Sequence, residues 1–377
     1  MEFTCERGNL YDVLSNVQSV IPGRSTHPVL MNVLISASGD KVSIMGTDMD
    51  VSMVGELEAK VIKDGEYALP AKKLFELLRE FAPGEVHIKR EKNRVEISQG
   101  AGRFYVSGVE RVDYPAEDIM KDETVDFNLS VEDIKRIVTK TSFAISADVA
   151  RIALSGLFLK ITKGKLIAVA TDGHRLTLIK KDVKVEIDGD VEKEIILPAK
   201  SVGHFIKMIG DAEGDVFVKL GNGTARFEVG NLTLTTKLIT ERFPDYENVL
   251  PRDNDKAMIA DGSLLISAIK RASVLSNPLT HLVKMSIGGN KMALSCTDYD
   301  VGGEAYEEIP IEFSSEPINI GFNSNYILEV LRHLETDEVK FLLKNSLSAT
   351  LIVPLPQKEG EEYLSILMPL RLPEEED

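Results

Sequence analysis

The segment ATDGHRL, residues 170–176, places an acid, an imidazole and a guanidinium within four consecutive positions. Asp172, His174 and Arg175 could act as an orienting carboxylate, a general base and an anion clamp, which are the parts of an acid–base enzyme such as a hydrolase. The sequence points to no serine, cysteine or second carboxylate nearby that would complete a nucleophilic site. The enzyme hypothesis therefore depends on how the rest of the chain positions these three side chains.

Length and composition indicate a globular protein with more than one domain. A chain of 377 residues, 43% of them apolar, can form two or three domains that each bury a core. The N-terminus MEFTCERGNL has acids where a signal peptide would have a basic start. Since no segment approaches the ~18 consecutive apolar residues of a membrane span, we expect a cytoplasmic protein.

Cysteine and histidine usage argues against disulfide and metal sites. Cys5 and Cys296 are far apart, each in an apolar, strand-like context, and the six histidines are scattered without an HExxH motif. We expect two buried thiols, no metal site and no cofactor.

A threefold internal repeat organises the chain. GTDMD, ATDGH and CTDYD contain Thr47, Thr171 and Thr297, which are 124 and 126 residues apart. The segments YALPAKKLFELLREF, IILPAKSVGHFIKMI and INIGFNSNYILEVLRHL follow at nearly the same period. The period predicts three domains near the commonest domain size, and their ranges are 1–122, 123–250 and 251–372, followed by an acidic tail at 373–377.

Each repeat reads as a strand, a helix, several strands, a second helix and several more strands, which is an α+β arrangement. Ser130 and Asp133 form a capping box before one helix. Glycines in QGAGRFYV and LGNGTARF separate alternating runs and predict hairpin turns, because no phosphate-binding motif follows. The six predicted helices cover residues 9–21, 71–81, 131–143, 199–209, 263–276 and 324–334.

The repeat changes the interpretation of the opening segment. Thr-Asp occurs in all three repeats, whereas His and Arg follow it only in the second. The pair is therefore interpreted as a structural turn, and Asp172 is no longer a dedicated catalytic acid.

Charge is distributed unevenly between the helices and the rest of the chain. The predicted helices hold eleven Lys and Arg against six Asp and Glu, which is a net charge of +5. Because the whole chain has a net charge of −16, the remaining residues carry −21. A net negative charge argues against nucleic-acid binding only when it is spread evenly. The basic helix faces predict either a shared surface for a polyanion or ordinary solvated faces. Because no aromatic residues alternate with the cations, duplex backbone contact is favoured over single-strand stacking.

Together with the repeat, three segments resemble the bacterial sliding clamp family, the beta subunit of the replicative DNA polymerase III. They are TDGHRL at 171–176, RFPDYENVLP at 242–251 and YLSILMPLRL at 363–372. The resemblance covers the chain through Leu372. It implies three clamp domains, each a duplicated βαβββ unit, in a head-to-tail homodimer whose helices line a ring around duplex DNA and whose sheets lie outside.

The resemblance also implies a non-catalytic processivity factor that slides on DNA. A groove between the second and third domains would bind short linear motifs of the polymerase catalytic subunit, the clamp loader, repair polymerases and mismatch-repair proteins. Arg175 would brace the groove wall or reach a peptide carbonyl. No membrane partner is implied. The groove residues are Leu154, Thr171, Gly173, His174, Arg175, Leu176, Pro244, Val249, Leu347, Ile366, Met368, Pro369, Leu370, Arg371 and Leu372.

At one groove position the chain departs from the family: the family ending usually has methionine where this chain has Leu370. Two alternatives to the clamp remain, a hydrolase that uses Asp172, His174 and Arg175 and an acidic scaffold that does not bind DNA.

Two further residue sets follow from the resemblance. The DNA-facing cations are Arg24, Arg79, Lys135, Lys140, Lys200, Lys207, Lys270 and Arg332. The dimer contact would pair Lys73, Arg103, Phe104 and Val106 with Val274, Leu275, Glu304 and Glu307.

Overall fold

The computed structural model describes residues 1–115, 120, 125–184, 192–298 and 302–372. The predicted tail and the predicted boundary at residue 122 lie outside this range. Within it, each predicted helix begins within two residues of its expected start. The α-helices are α1 (Arg7–Val17), α2 (Ala71–Glu80), α3 (Val131–Thr141), α4 (Ala199–Ile209), α5 (Gly262–Ser273) and α6 (Ser324–Leu334).

The helices form where apolar residues recur every three or four positions directly after a strand. In α2, Ala71, Leu74 and Leu78 are buried while Lys72 and Arg79 on the other face are exposed. Before α3, the Ser130 hydroxyl oxygen accepts a hydrogen bond from the Asp133 amide at 3.5 Å, as the capping box predicts.

Along the chain, the strands and helices of each repeat follow a duplicated βαβββ order, which confirms the predicted α+β class. The first repeat contains β1 (Glu2–Glu6), β2 (Asn32–Ser38), β3 (Lys41–Thr47), β4 (Val51–Glu58), a short β5 (Lys60–Lys63), β6 (Gly65–Pro70), β7 (Glu85–Glu91), β8 (Arg94–Gln99) and β9 (Gly102–Ser107). The second contains β10 (Val125–Ser130), β11 (Gly156–Thr162), β12 (Lys165–Thr171), β13 (Arg175–Asp182), β14 (Lys193–Pro198), β15 (Asp215–Leu220), β16 (Thr224–Val229) and β17 (Leu232–Lys237). The third contains β18 (Lys256–Asp261), β19 (Leu282–Gly288), β20 (Lys291–Asp298), β21 (Gly303–Pro310), a short β22 (Glu312–Phe313), β23 (Ile318–Asn323), β24 (Glu338–Leu343), β25 (Thr350–Leu355) and β26 (Glu361–Leu367).

Two hairpins confirm the turns predicted from the glycine pairs. β8 and β9 are joined through Gly100, and β15 and β16 through Gly223. Both glycines have positive φ, at +56° and +79°. This conformation suits a tight antiparallel turn.

The chain folds into two compact units that do not follow the repeats. The first unit contains the described residues of Met1–Lys135 and Lys200–Leu238. The second contains those of Arg136–Lys184, Asp190–Ala199 and Ile239–Asp377. Each unit joins strands of neighbouring repeats, so the predicted repeat boundaries, which divide the chain by sequence similarity, stay a prediction.

The first unit has an eight-stranded and a five-stranded antiparallel sheet. Their strand orders are β10-β15-β16-β17-β4-β3-β2-β6 and β5-β1-β7-β8-β9. α1 packs on β4 and on α2, where the rings of Tyr11 and Phe75 stack with centroids 4.9 Å apart.

The second unit has a nine-stranded and a four-stranded antiparallel sheet. Their orders are β14-β11-β12-β13-β26-β25-β24-β18-β22 and β21-β20-β19-β23. β13 pairs with β26 at the centre of the larger sheet, so that Leu176 lies opposite Ile366.

Both cysteines are buried free thiols, as expected. Burial raises the pKa of Cys5 to about 12 and that of Cys296 to about 11, so both thiols stay protonated near neutral pH. Among the helices in the described ranges, none is long and apolar enough to cross a membrane.

Candidate functional site

The Thr-Asp pair of the second repeat forms a tight turn between β12 and β13. The Thr171 hydroxyl donates to the Arg175 carbonyl at 2.6 Å and accepts from the Gly173 amide at 3.1 Å. One carboxylate oxygen of Asp172 accepts from the His174 and Arg175 amides at 2.9 and 3.0 Å. Gly173 supplies the positive φ of +88° that this turn needs.

The first repeat builds the same turn with different residues. The Thr47 hydroxyl donates to the Val51 carbonyl at 3.0 Å, and Asp48 accepts from the Asp50 and Val51 amides at 3.0 and 2.8 Å. Met49 takes the position of the glycine, with φ of +82°. The prediction of a structural turn is confirmed for these two repeats; in the third, residues 299–301 lie outside the described ranges.

Arg175 braces this turn from inside the protein. Its side chain is only 7% exposed, and Nε donates to the second carboxylate oxygen of Asp172 at 3.1 Å. Nη2 donates to the Phe143 carbonyl at 2.8 Å, and Nη1 donates to the carboxylate of Glu329 on α6. Its guanidinium carbon lies 4.7 Å from the ring centroid of Tyr326. Of the two roles considered for Arg175, the structure therefore favours bracing.

The arrangement around His174 does not suit general base catalysis. Its ring stacks on Tyr326 with centroids 6.0 Å apart, and no hydrogen bond from the described residues reaches a ring nitrogen. Asp172, the residue that would orient it, is occupied by two amides and by Arg175. Within the described part of the chain, no group of three or more His, Cys, Asp or Glu residues could hold a metal ion.

Next to the turn lies an apolar cavity of about 230 Å³. Nine of the fifteen predicted groove residues line it. The lining comprises Leu154, Thr171, Gly173, Arg175, Leu176, Phe243, Pro244, Asp245, Tyr246, Val249, Ile366 and Met368.

The cavity has a buried, packed floor and exposed apolar edges. Leu176, Ile366 and Phe243 belong to one buried hydrophobic cluster. Val249 and Met368 at the edge are 55% and 45% exposed. Exposed anchors above a packed floor suit the binding of a few apolar ligand side chains.

Sequence reasoning missed three lining residues. Phe243, Asp245 and Tyr246 lie inside the segment RFPDYENVLP, which was the available signal. Phe243 stacks on Phe158 at 4.8 Å, and that position follows from tertiary packing.

Six predicted groove residues lie outside the cavity lining. Leu347 is 65% exposed, and Leu370 pairs its backbone with β23, donating to the Gly321 carbonyl at 2.8 Å. The His174 carbonyl accepts from the Met368 amide at 2.9 Å. The six are His174, Leu347, Pro369, Leu370, Arg371 and Leu372, and a direct role for them in ligand binding stays a prediction.

Most of the predicted DNA-facing cations are accessible, but Lys140 is not. Lys140 is 1% exposed, and its Nζ donates to the His333 carbonyl. The same Nζ forms an ion pair with the Glu335 carboxylate at 2.7 Å. Burial lowers its pKa. The expectation that Lys140 contacts phosphate is therefore wrong, because its ammonium is committed to internal acceptors. Lys135 is half-buried, and the exposed cations are Arg24, Arg79, Lys200, Lys207, Lys270 and Arg332.

Five of the eight predicted dimer residues lie on two edge strands, β9 and β21. β9 is an edge of the five-stranded sheet and carries Phe104, which is 41% exposed. β21 is an edge of the four-stranded sheet, and Val274 after α5 is 78% exposed. Tyr105 and Tyr306 lie on the same two strands and are also exposed, although they are not in the predicted set. The other members of the set are Lys73, Arg103 and Glu304, which are exposed, and Val106, Leu275 and Glu307, which are half-buried.

Comparison with known proteins agrees with this geometry. Family models of the DNA polymerase III beta subunit match the chain over its N-terminal domain at 1–118, its central domain at 128–245 and its C-terminal domain at 247–371. The beta sliding clamps of Pseudomonas aeruginosa and Escherichia coli K12 are 31% and 30% identical over 375 and 374 residues, 99% of this chain and 100% of each relative.

Solved structures show the same relationship. The DNA polymerase III beta subunit of Pseudomonas aeruginosa bound to griselimycin has a TM-score of 0.93 at 31% identity. The DNA polymerase sliding clamp of Caulobacter crescentus has a TM-score of 0.91 at 33% identity. Each match covers 99% of this chain and 100% of the other. The chain therefore belongs to the DNA polymerase III beta subunit family, the sliding clamps, and is a non-catalytic processivity factor of DNA replication.

Proposed function

We propose that the apolar cavity beside the 171–175 turn is the groove in which partner proteins dock a short linear peptide. The cavity itself carries the proposal: it combines a packed apolar floor with exposed anchors at Val249 and Met368. Pro244 and the β13–β26 pairing hold the walls, which lowers the ordering cost of binding. The expected partners are the replicative polymerase, the clamp loader, repair polymerases and mismatch-repair proteins.

We further propose that two copies close head to tail into a ring around duplex DNA. β9 and β21 are edge strands of different sheets, and each has exposed apolar or aromatic side chains beside it. A heterologous contact between them, made twice, would close the ring.

Inside the proposed ring, exposed cations on the helices would contact phosphates without reading bases. Arg79, Lys207, Lys270 and Arg332 lie on four different helices and are exposed. Such contacts give affinity without sequence specificity and allow sliding. A cytoplasmic location, where a bacterial chromosome is replicated, belongs to the same proposal.

The groove can be tested by titrating a fluorescent hexapeptide of the polymerase-tail type. Met368→Ala should weaken its binding by about 1 to 3 kcal/mol, the scale of a central interface anchor. The affinity is measured by fluorescence anisotropy.

Met31→Ala is the matched control, since Met31 is also exposed, at 39%, but lies on the first unit. This control should bind like the wild type. Equal affinities for the wild type and Met368→Ala would place the peptide site elsewhere.

A further inference from the structure

We infer that Glu329 of α6 is a positioning residue for the peptide groove, which it controls by holding Arg175. The inference rests on the proposed function of the cavity. Each of the three guanidinium nitrogens of Arg175 donates to a protein acceptor: Asp172, Glu329 or the Phe143 carbonyl. With a side chain only 7% exposed, Arg175 has little access to water that could replace a lost acceptor.

The α6 helix holds the 171–175 turn through two adjacent side chains. Tyr326 and Glu329 are three residues apart and therefore share a helix face. The Arg175 guanidinium contacts Tyr326 as well as Glu329, and the His174 ring stacks on the same Tyr326. The start of α6 is fixed by Asn323, whose side-chain oxygen accepts from the Asn325 and Tyr326 amides at 3.0 and 3.3 Å.

From the turn, the constraint reaches the cavity lining directly. Thr171, Gly173 and Arg175 all line the cavity. The His174 carbonyl holds the Met368 amide at 2.9 Å, which joins the turn to an exposed anchor of the groove.

Loss of the Glu329 carboxylate would leave a nearly buried guanidinium nitrogen without its acceptor. Arg175 then has to rotate or admit water, and either change moves the Asp172–Arg175 segment that depends on it. Glu329 itself does not line the cavity, and its ion pair with Arg175 connects it to a residue that does.

The affinity test uses the same fluorescent hexapeptide on the full chain. Glu329→Ala should weaken binding by about threefold to thirtyfold, the range of indirect couplings between neighbouring residues. Glu329→Gln keeps an oxygen acceptor for Arg175 and should fall between the alanine variant and the wild type.

Glu362→Gln is the matched control. It removes a 54% exposed carboxylate from β26, where its partner is Lys180 at 3.2 Å, and it should bind like the wild type. Equal affinity of Glu329→Ala and the wild type would overturn the inference while leaving the groove intact. Failure of the wild type itself to bind would overturn the proposed function, and the inference with it.

Amide hydrogen exchange without peptide separates positioning from general stabilisation. Glu329→Ala should speed exchange at His174 and Arg175, whose amides bond to Asp172, while the amides of Leu364 and Ile366 on β26 keep wild-type rates. Faster exchange throughout the second unit, or no change at the turn, would overturn the positioning role.

Discussion

Gly173 is a residue at which backbone conformation and groove shape can be separated experimentally. It has φ of +88°, and an added Cβ would lie 2.7 Å from Nη1 of Arg151, which donates to the Asp172 carbonyl at 3.0 Å. Gly173→Ala should lower the free energy of unfolding by about 1 kcal/mol because of the left-handed backbone. The added Cβ should also displace Arg151, whose hydrogen bond holds the Asp172 carbonyl of the 171–175 turn. Because Thr171, Gly173 and Arg175 of this turn line the cavity, peptide binding should weaken as well.

Gly164→Ala provides the control for this prediction. Gly164 has a similar φ of +80° but open space where a Cβ would be, so it carries the backbone cost without the clash. Urea unfolding and peptide titration on both variants distinguish the two effects. Equal peptide affinities for the two variants would contradict the role assigned to the Arg151 contact.

Residue-level prediction from the sequence succeeded where the causes were local. The Thr-Asp turn could be predicted because its hydrogen bonds join residues two to four positions apart. The burial of Arg175 and of Lys140 could not, because their acceptors, Glu329 and the His333 carbonyl, are 154 and 193 residues away. Helical periodicity places Lys140 near a polar face but does not indicate what packs over it.

At the scale of elements, an ion network links α3, β13 and β26 inside the second unit. Nε of Arg136 donates to both carboxylate oxygens of Glu361 at 2.7 and 2.9 Å, and Lys181 donates to the same group at 3.0 Å. Burial raises the pKa of Glu361, but the hydrogen bonds from Arg136 and Lys181 outweigh it and hold the pKa below its ordinary value. The carboxylate therefore stays ionised although its side chain is 1% exposed.

This network should make the second unit sensitive to acid. Because the folded-state pKa of Glu361 is lowered, its contribution to stability is present above the unfolded-state pKa and is lost as the pH falls through the folded-state value. The difference in unfolding free energy between the wild type and Glu361→Gln should be largest at neutral pH. It should shrink as the pH falls from about 5 to 3.

Glu362→Gln is the neighbouring control, with an exposed carboxylate on the same strand. Its effect should be small at every pH, as expected for a surface ion pair. Urea unfolding across this pH range measures both variants. A pH-independent difference for Glu361→Gln would contradict the assigned role of the network.

Element order was accessible from the sequence, whereas sheet membership was not. Apolar stripes after short strands predicted the six helix starts to within two residues, because each helix buries one face on its own neighbouring strands. β4 of the first repeat pairs with β17 of the second, so that Val51 lies opposite Thr236, which is far away in the sequence. Alternation within a strand indicates that it is half-buried but does not identify its partner.

At the scale of the whole molecule, the charge partition predicts how the clamp holds DNA. Arg79, Lys270 and Arg332 are exposed on α2, α5 and α6, one in the first repeat and two in the third. Lys41, Lys165 and Lys291 are also exposed but begin β3, β12 and β20, at equivalent positions of the three repeats, where each pairs with an acid. Each set has three exposed cations, so replacing either set by Glu changes the net charge equally, on the helices in one case and on the strands in the other.

Simultaneous replacement of Arg79, Lys270 and Arg332 by Glu should reduce loading on nicked circular duplex at low salt, because three cations proposed to neutralise phosphates become repulsive. The slope of log affinity against log salt for duplex binding should fall by up to about 5, since each lost phosphate contact contributes roughly 0.9 and the three positions occur twice in a dimer. The variant with the same replacements in the strand set should load like the wild type, and both variants should keep the native mass of a dimer.

Co-elution with circular DNA by gel filtration, repeated after linearisation, measures retention. The wild type should be released when the circle is cut, as a ring requires. Unaltered retention of the helix variant at both low and high salt, or equal losses for the two sets, would show that these helix faces are not the DNA-contacting surface.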